Sequence, residues 1–296
     1  MSRSSRAEPT ERIEPAGFAD VEQRAAEKEK ALGEWLRARG RVAIGFSGGV
    51  DSAYLAVAAR RTLGADNVLA IIGRSASYPA EQWATARRVA DSFDVQVLEL
   101  DTDEMNDPRY AANPANRCYF CKTELWSKLV PAAAARGFLT VADGTNADDV
   151  GGYRPGMQAA REQAVASPLA EVGFTKEEIR ARSRALGLPT WQQPASPCLS
   201  SRLPYGTSVT PERLRRIELA ERAVRELGVT GDMRVRYHDD VARVELPAAE
   251  LTKWLGPDRA ELLRAAVAAA GFPRVALDLR GFRSGSLNVL HGVTTA

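Results

Sequence analysis

A short apolar run, Val42-Ala43-Ile44, leads through Gly45-Phe46 into Ser47-Gly48-Gly49-Val50-Asp51-Ser52, and this junction constrains the chain more than any other stretch. Two adjacent glycines let the backbone approach an oxyanion closely. Successive N–H groups at the start of a helix then form a nest for phosphate. Ser47 and Ser52 add hydroxyl donors. Asp51 cannot bind phosphate itself, but it can hold the Mg²⁺ that neutralises one. No lysine stands where the Gly-x-x-x-x-Gly-Lys loop of ordinary P-loop enzymes needs one to reach the β- and γ-phosphates. A different phosphate loop is implied.

Three further runs repeat the pattern of the first. Residues 68–72, 95–100 and 139–142 are short, rich in β-branched residues and separated by helical stretches, as buried parallel strands are. Between the second and third runs, Trp83, Ala86, Val89 and Phe93 fall on one helical face, so that connection crosses over as a helix. Repeated β-α-β units predict an α/β fold with a doubly wound parallel sheet, its ligands at the carboxyl ends of the strands. At that edge, Asp143-Gly144-Thr145-Asn146-Ala147-Asp148-Asp149 follows the fourth run. Its acidic and amide groups, with Gly144 and Asn146 the chosen candidates, can bind Mg²⁺ or the nucleotide. A plain helix cap with Asx-turn chemistry is the alternative. Ser75 and Ser77 follow the second run, on the side expected for adenosine.

The rest of the chain divides around this unit. Residues 1–18 are polar, carry Pro9 and Pro15, and are expected to form a disordered arm. Residues 19–190 form the expected nucleotide domain, opened by a charged helix over 21–39 that Gly40 stops. Prolines 189, 194, 197 and 204 forbid a regular helix and place a linker with a cysteine loop at 191–209. A second, smaller α/β domain is expected over 210–296. Thr210-Pro211 opens its first helix, with Leu214, Ile217, Ala220, Val224 and Leu227 as the buried stripe. A hairpin follows over 233–237 and 241–246 around His238-Asp239-Asp240, then an alanine-rich helix over 259–270 and a strand over 275–279.

Composition excludes several classes. Forty Lys and Arg against 38 Asp and Glu leave a net charge of +2, which argues against a protein that coats nucleic acid. No uninterrupted apolar stretch reaches about 18 residues, so no membrane span is expected. The N-terminus lacks a signal-peptide core, and Glu8, Glu11 and Glu14 argue against a transit peptide. Three cysteines in 296 residues are no disulfide framework, so the reducing cytoplasm is the expected compartment.

Those cysteines carry a second signal. Cys118-Tyr119-Phe120-Cys121 is a Cys-x2-Cys pair, and Cys198 follows after 76 intervening residues. Such a pair alone suits a redox couple or half a zinc site. A structural zinc normally takes four protein ligands, and His238 and His291 read as ordinary surface or hairpin residues. Three thiolates suit a [4Fe–4S] cluster that leaves one iron without a protein ligand. In the competing reading Cys198 acts alone as nucleophile or sulfur donor, with the Arg202 charge favouring its thiolate. All three cysteines are expected in loops.

Taken in order, the Ser47–Ser52 loop, Asn116 to Lys122, Asp143 to Asp149, Tyr153-Arg154-Pro155-Gly156 and Pro194 to Arg202 resemble the LarE-type, ATP-dependent sulfur transferases of the ATP pyrophosphatase (PP-loop) superfamily. The resemblance covers residues 25–290, and the segment around Cys198 is its most specific part. It implies a cytoplasmic enzyme that uses ATP and Mg²⁺ to adenylylate a carboxylate of pyridinium-3,5-biscarboxylic acid mononucleotide. Sulfur then replaces AMP, and the thiocarboxylate enters the nickel-pincer cofactor of lactate racemase and related enzymes. One variant of the family sacrifices the cysteine matching Cys198 and leaves dehydroalanine. The other has three cysteines and a [4Fe–4S] cluster, the type that Cys118, Cys121 and Cys198 imply here. The resemblance also places substrate-phosphate arginines near Arg234 and Arg236, with Ser201 and Arg202 as further substrate-binding candidates. Residues two apart on a strand point the same way, and arginine forks suit phosphate. A solvated strand face is the bland alternative for that pair.

The nearest rival is a tRNA thiolation enzyme, which combines the same loop with a cysteine trio but usually adds a nucleic-acid-binding module. A ligase with ammonia as nucleophile and a non-catalytic nucleotide sensor are the others. The expected partners are a small nucleotide substrate and further copies of the chain, with neither membrane nor nucleic acid.

Overall fold

The computed structural model describes residues 18–151 and 154–283. Tyr153, His291 and the expected arm up to residue 17 lie outside the described residues. Helix α1 (Phe18–Arg39) stops at Gly40, whose φ of +72° ends the turn without a Cβ penalty. Strand β1 (Val42–Gly45) follows and is almost wholly buried. Helix α2 (Val50–Leu63), β2 (Val68–Arg74), α3 (Ala80–Ser92) and β3 (Gln96–Asp101) complete two successive β-α-β units. A short α4 (Pro108–Ala111) and the long α5 (Arg117–Ala134) return the chain to β4 (Thr140–Ala142). Three helices then follow: α6 (Pro155–Glu162), α7 (Pro168–Glu171) and α8 (Lys176–Ala185).

The four strands form one parallel sheet in the order β3-β2-β1-β4. Its two faces need different covers. Helices α1, α2, α3 and α8 bury Leu36, Ile44, Tyr54, Leu55 and Ile72 on one face. Helix α5 covers the other through Trp126 and Leu129, against Ala43, Leu69 and Ile71. The helical face expected between β2 and β3 exists, with Ala86 and Val89 buried, though Trp83 is 36% exposed. The fold is therefore the α/β, parallel-sheet class that the alternating runs imply.

Beyond α8 the chain runs irregularly, apart from a single 3-10 turn at Leu199–Arg202, until α9 (Pro211–Glu226). A second sheet holds β5 (Arg234–His238), β6 (Val241–Glu245) and β7 (Arg274–Leu277) in that order. The β5–β6 pair is an antiparallel hairpin whose turn puts Asp239 at φ +51°, a conformation aspartate tolerates. Strand β7 runs parallel to β6 and ends two residues before the expected Leu279. Helices α10 (Leu251–Trp254) and α11 (Pro257–Ala269) separate the two. Leu214, Ile217, Val224, Val235, Val244 and Trp254 form the core here, joined by Tyr110, Leu199 and Leu203 from the cysteine region. That shared cluster locks the cysteine loop between the two sheets.

Candidate active site

Strand β1 delivers the phosphate loop at the carboxyl edge of the first sheet. Gly48 takes φ +68°, and a Cβ there would lie 2.7 Å from the Ala86 Cβ. Only glycine allows both that backbone and that approach to α3. Ser47 and Ser52 Oγ lie 3.2 Å apart, and Ser52 Oγ donates to the Gly49 carbonyl at 3.2 Å. The Ser47 carbonyl is fixed by Gln82 Nε2 at 2.8 Å and Tyr78 OH at 2.9 Å. Helix α2 starts after Gly49 with no side-chain cap, so its first amides remain available to an anion.

The loop after β4 closes on this one. A Cβ on Gly144 would sit 2.9 Å from the Ser52 amide nitrogen, so the two loops touch along their backbones. Asn146 Nδ2 donates to Asp51 Oδ1 at 3.4 Å. Asp143 is different: Thr145 N, Thr145 Oγ1 and Ser167 Oγ occupy its oxygens at 2.8–3.0 Å, so it builds the turn. Lys176 was not foreseen from sequence. Lys176 Nζ donates to Asp51 Oδ2 at 2.5 Å, while its own amide donates to Asp148 Oδ2 at 2.8 Å. A cation thus stands beside the loop, supplied from α8 rather than from the loop itself.

Ser75 and Ser77 share a 2.8 Å hydroxyl contact after β2, and the Ser77 carbonyl accepts from the Leu199 amide at 2.8 Å. This bond ties the cysteine loop to the sheet edge. Tyr110 OH and Ser200 Oγ, both buried, meet at 2.6 Å, and Asn113 Nδ2 donates to the carbonyls of Pro204 and Thr207.

Cys118 and Cys121 are not in a loop, contrary to expectation. They occupy the first turn of α5, three residues apart and so on one face, because Asn116 starts the helix immediately before them. Cys118 is exposed, Cys121 and Cys198 are half-buried, and all three are free thiols. Burial pushes the Cys121 thiol up, reinforced by Glu104 and Cys198. Crowding and the Cys198 charge push Cys118 up as well, against the opposing pull of Arg117. Cys118 and Cys121 thus both feel the Cys198 charge. Arg117 was also missed from sequence: it is 5% exposed, bonds Asn113 Oδ1 and lies 5.5 Å over the Tyr205 ring. Burial opposes its charge, but Cys198 and Cys118 outweigh that and hold its pKa above the ordinary arginine value.

Among the described residues, no group of three or more His, Cys, Asp and Glu is set around a single metal ion. A [4Fe–4S] cluster asks something else, since its thiolates ligate separate irons. Three free thiols from one helix start and one loop are a donor set of that chemistry.

The arginines gather under the cysteine loop. Arg202 is held by Glu221 through two contacts of 2.9 Å and donates to the Pro197 carbonyl at 2.6 Å, so its charge is shared rather than spent on Cys198 alone. Arg234 and Arg236 are 5% and 6% exposed, which overturns the solvated-face alternative. Arg234 donates to the Ala195 carbonyl at 2.6 Å, and Arg236 donates to the Ser201 carbonyl and Glu245 Oε2, each at 3.0 Å. Burial, with the neighbouring Arg202 charge, brings the Arg234 pKa down to about 10. The structure therefore joins Ser201, Arg202, Arg234 and Arg236 into one cationic floor. His238 sits half-buried at the hairpin end, two residues beyond Arg236 on the same strand.

Comparison with known proteins agrees with this geometry. Residues 27–115, from α1 through the phosphate loop to just before the first cysteine, match the NAD synthase family. An uncharacterized protein of Synechocystis sp. is 44% identical over 248 residues, 84% of this chain and 92% of that protein. An uncharacterized protein of Methanocaldococcus jannaschii is 27% identical over 248 residues, 82% of this chain and 91% of that protein. The pyridinium-3,5-bisthiocarboxylic acid mononucleotide synthase of Lactiplantibacillus plantarum is 36% identical over 263 residues, 89% of this chain and 94% of that enzyme. No helix among the described residues is long and apolar enough to cross a membrane. With that identity across nearly the full length of both chains, the protein belongs to the LarE family of ATP-using PP-loop enzymes.

Proposed function

We propose that the protein is an ATP-dependent sulfur transferase that converts a carboxylate of pyridinium-3,5-biscarboxylic acid mononucleotide to a thiocarboxylate, a step of nickel-pincer nucleotide biosynthesis. The observation that carries this reading is the 2.8 Å bond from Leu199 N to the Ser77 carbonyl. It holds Cys198 at the same sheet edge as the phosphate loop, so activation and sulfur delivery share one site. In this reading residues 19–190 form the nucleotide domain, 191–209 the cysteine-bearing linker and 210–296 the substrate-phosphate domain, and the enzyme works as a cytoplasmic homo-oligomer.

A carboxylate is a poor electrophile until it carries a good leaving group. Its oxygen attacks the α-phosphorus of ATP, the α–β phosphoanhydride bond breaks, and pyrophosphate leaves. Ser47, Gly48, Gly49 and Ser52 donate to the phosphates, Asp51 holds Mg²⁺, and Lys176 offsets the charge that builds. Gly144 and Asn146 brace Asp51, and Ser75 faces the adenosine. Sulfur then attacks the acyl carbon and AMP departs. A [4Fe–4S] cluster held by Cys118, Cys121 and Cys198 supplies that sulfur as sulfide when bound. Arg117 balances the thiolate charge, while Ser201, Arg202, Arg234 and Arg236 hold the substrate phosphate.

A second reading keeps the adenylylation and takes the sulfur from Cys198 itself. What favours it is that Cys198 is a free thiol on the loop that Leu199 ties to the sheet edge, so it is held there independently of the other two. The test common to both is anaerobic incubation with ATP, Mg²⁺ and the substrate mononucleotide. AMP and pyrophosphate should form only when the substrate is present, and the product should carry sulfur in place of a carboxyl oxygen. Release of AMP and pyrophosphate with no sulfur in the product would contradict both.

A further inference from the structure

A cleft of about 480 Å³ opens between the start of α5 and helix α6, lined by Asn116, Tyr119, Arg154, Met157, Gln158 and Arg161. It flanks Cys118, which lies between Asn116 and Tyr119. A Cβ on Gly156 would sit 3.6 Å from the Cys118 carbonyl oxygen, so α6 packs directly on the cysteine turn. A chain of polar contacts runs from here to the phosphate loop. Arg154 pairs with Asp149 at 2.7 Å, Asp149 accepts from the Asn146 amide at 3.3 Å, and Asn146 reaches Asp51. The cleft is thus adjacent to both reacting parts of the site.

Among the described residues, Arg154 in this cleft is ion-paired with Asp149, and no carboxylate pairs with Arg161. Glu162, the acid beside it, is taken by Tyr119 OH at 2.7 Å and Gln158 Nε2 at 2.9 Å. The Arg161 guanidinium lines the cleft with no hydrogen bond or ion pair among the described residues, and the Asn116 side chain has none either. By contrast, Arg202, Arg234 and Arg236 spend donors on neighbouring carbonyls and carboxylates. An aromatic ring, a flexible thioether and an unspent guanidinium together suit a flat, anionic, ring-bearing ligand.

We propose that this cleft takes the pyridinium ring of the substrate, with Arg161 binding the ring carboxylate that is not being activated. The assignment rests on the function proposed above. Substituents at positions 3 and 5 of a six-membered ring diverge, so both cannot face the phosphate loop at once. One is presented for adenylylation while the other points away and needs its own cation. A thiocarboxylate is also an anion, so the half-converted molecule binds the same cleft after its ring turns about the bond to the ribose. Arg161 is then the residue that selects a dicarboxylate over a monocarboxylate mononucleotide.

The test is calorimetric titration of the full chain, without ATP, by the 3,5-biscarboxylic and the 3-carboxylic pyridinium mononucleotides. The wild-type protein should bind the dicarboxylate about ten- to hundred-fold more tightly, the worth of one charge-assisted contact. Arg161→Ala should bind the two ligands alike while keeping the wild-type affinity for the monocarboxylate, and Arg161→Lys should retain part of the preference. Arg161 is exposed, so near-ultraviolet circular dichroism should be unchanged in both variants. An undiminished preference in Arg161→Ala, or none in the wild type, overturns the cleft assignment and leaves the sulfur-transferase reading standing. Failure of the wild type to bind either ligand or to release pyrophosphate with the dicarboxylate overturns both.

Discussion

Lys176 Nζ stands 2.5 Å from Asp51 Oδ2, so the first residue of α8 neutralises the carboxylate in the first turn of α2. In the function proposed above, Asp51 holds Mg²⁺ and Lys176 is a direct counter-charge to the triphosphate, so Mg·ATP would take over both partners of this ion pair.

Asp51→Ala should therefore abolish substrate-dependent pyrophosphate release, since the loop keeps its backbone but loses its metal-binding oxygen. Lys176→Ala should keep Mg²⁺ binding and slow release by about a hundredfold, as for loss of one donor to a developing charge. Enzymatic pyrophosphate detection measures both, and wild-type rates in either variant would remove that residue from the site.

Arg234→Ala should weaken the substrate mononucleotide about ten- to hundred-fold and spare ATP, because a charge-assisted phosphate contact is lost. Arg236→Ala should do the same and cost stability as well. It strips one of two arginines from Glu245, which is fully buried and also paired with Arg243 at 3.0 Å. Urea unfolding should show a loss of about 2 kcal/mol, less than for a buried charge left wholly unpaired.

Glu178 anchors α1 to α8. It is 2% exposed and accepts Lys28 Nζ on both oxygens, at 2.8 and 2.7 Å, plus the Thr175 amide at 2.8 Å. Burial alone would raise its pKa, but Lys28 and the Thr175 bonds win and hold it below the ordinary 4.5. A depressed carboxyl contributes stability that is present above 4.5 and is lost as pH falls through the lower folded value. Glu178→Gln should lower unfolding free energy at pH 7 by about 2–3 kcal/mol and flatten the acid limb below pH 4.5. An unchanged acid limb would show that other carboxylates set it.

The sheet and its loop were legible because short β-branched runs, helical spacers and paired glycines leave few alternatives. Lys176 was not, since it lies 125 residues from Asp51 and no spacing rule links them. The Thr175 capping box does announce a helix start there, though not what its first side chain would reach. The helical setting of Cys118 and Cys121 had a signal in Asn116, a residue type that favours helix starts. The burial of Arg236 follows from hairpin register, which sets it opposite Arg243 with Glu245 two residues along. Like charges directly opposite would repel, and Glu245 contacts both. The Asp239-Asp240 turn fixes that register, with His238 in the strand rather than in the turn as the sequence implied, and nothing in the sequence says which face the rest of the chain will cover.

The central claim, sulfur delivered through three cysteines without consuming one, is tested by intact-protein and peptide mass spectrometry after turnover. The protein should be purified anaerobically, loaded with iron and sulfide, and given excess substrate, ATP and Mg²⁺. More than one thiocarboxylate per chain and a Cys198 peptide of unchanged mass are expected. Replacing Cys118, Cys121 or Cys198 by serine should remove bound iron and sulfur transfer together. Conversion of Cys198 to dehydroalanine in step with product, one per chain, in fully loaded protein would contradict it and establish Cys198 as a sacrificial donor.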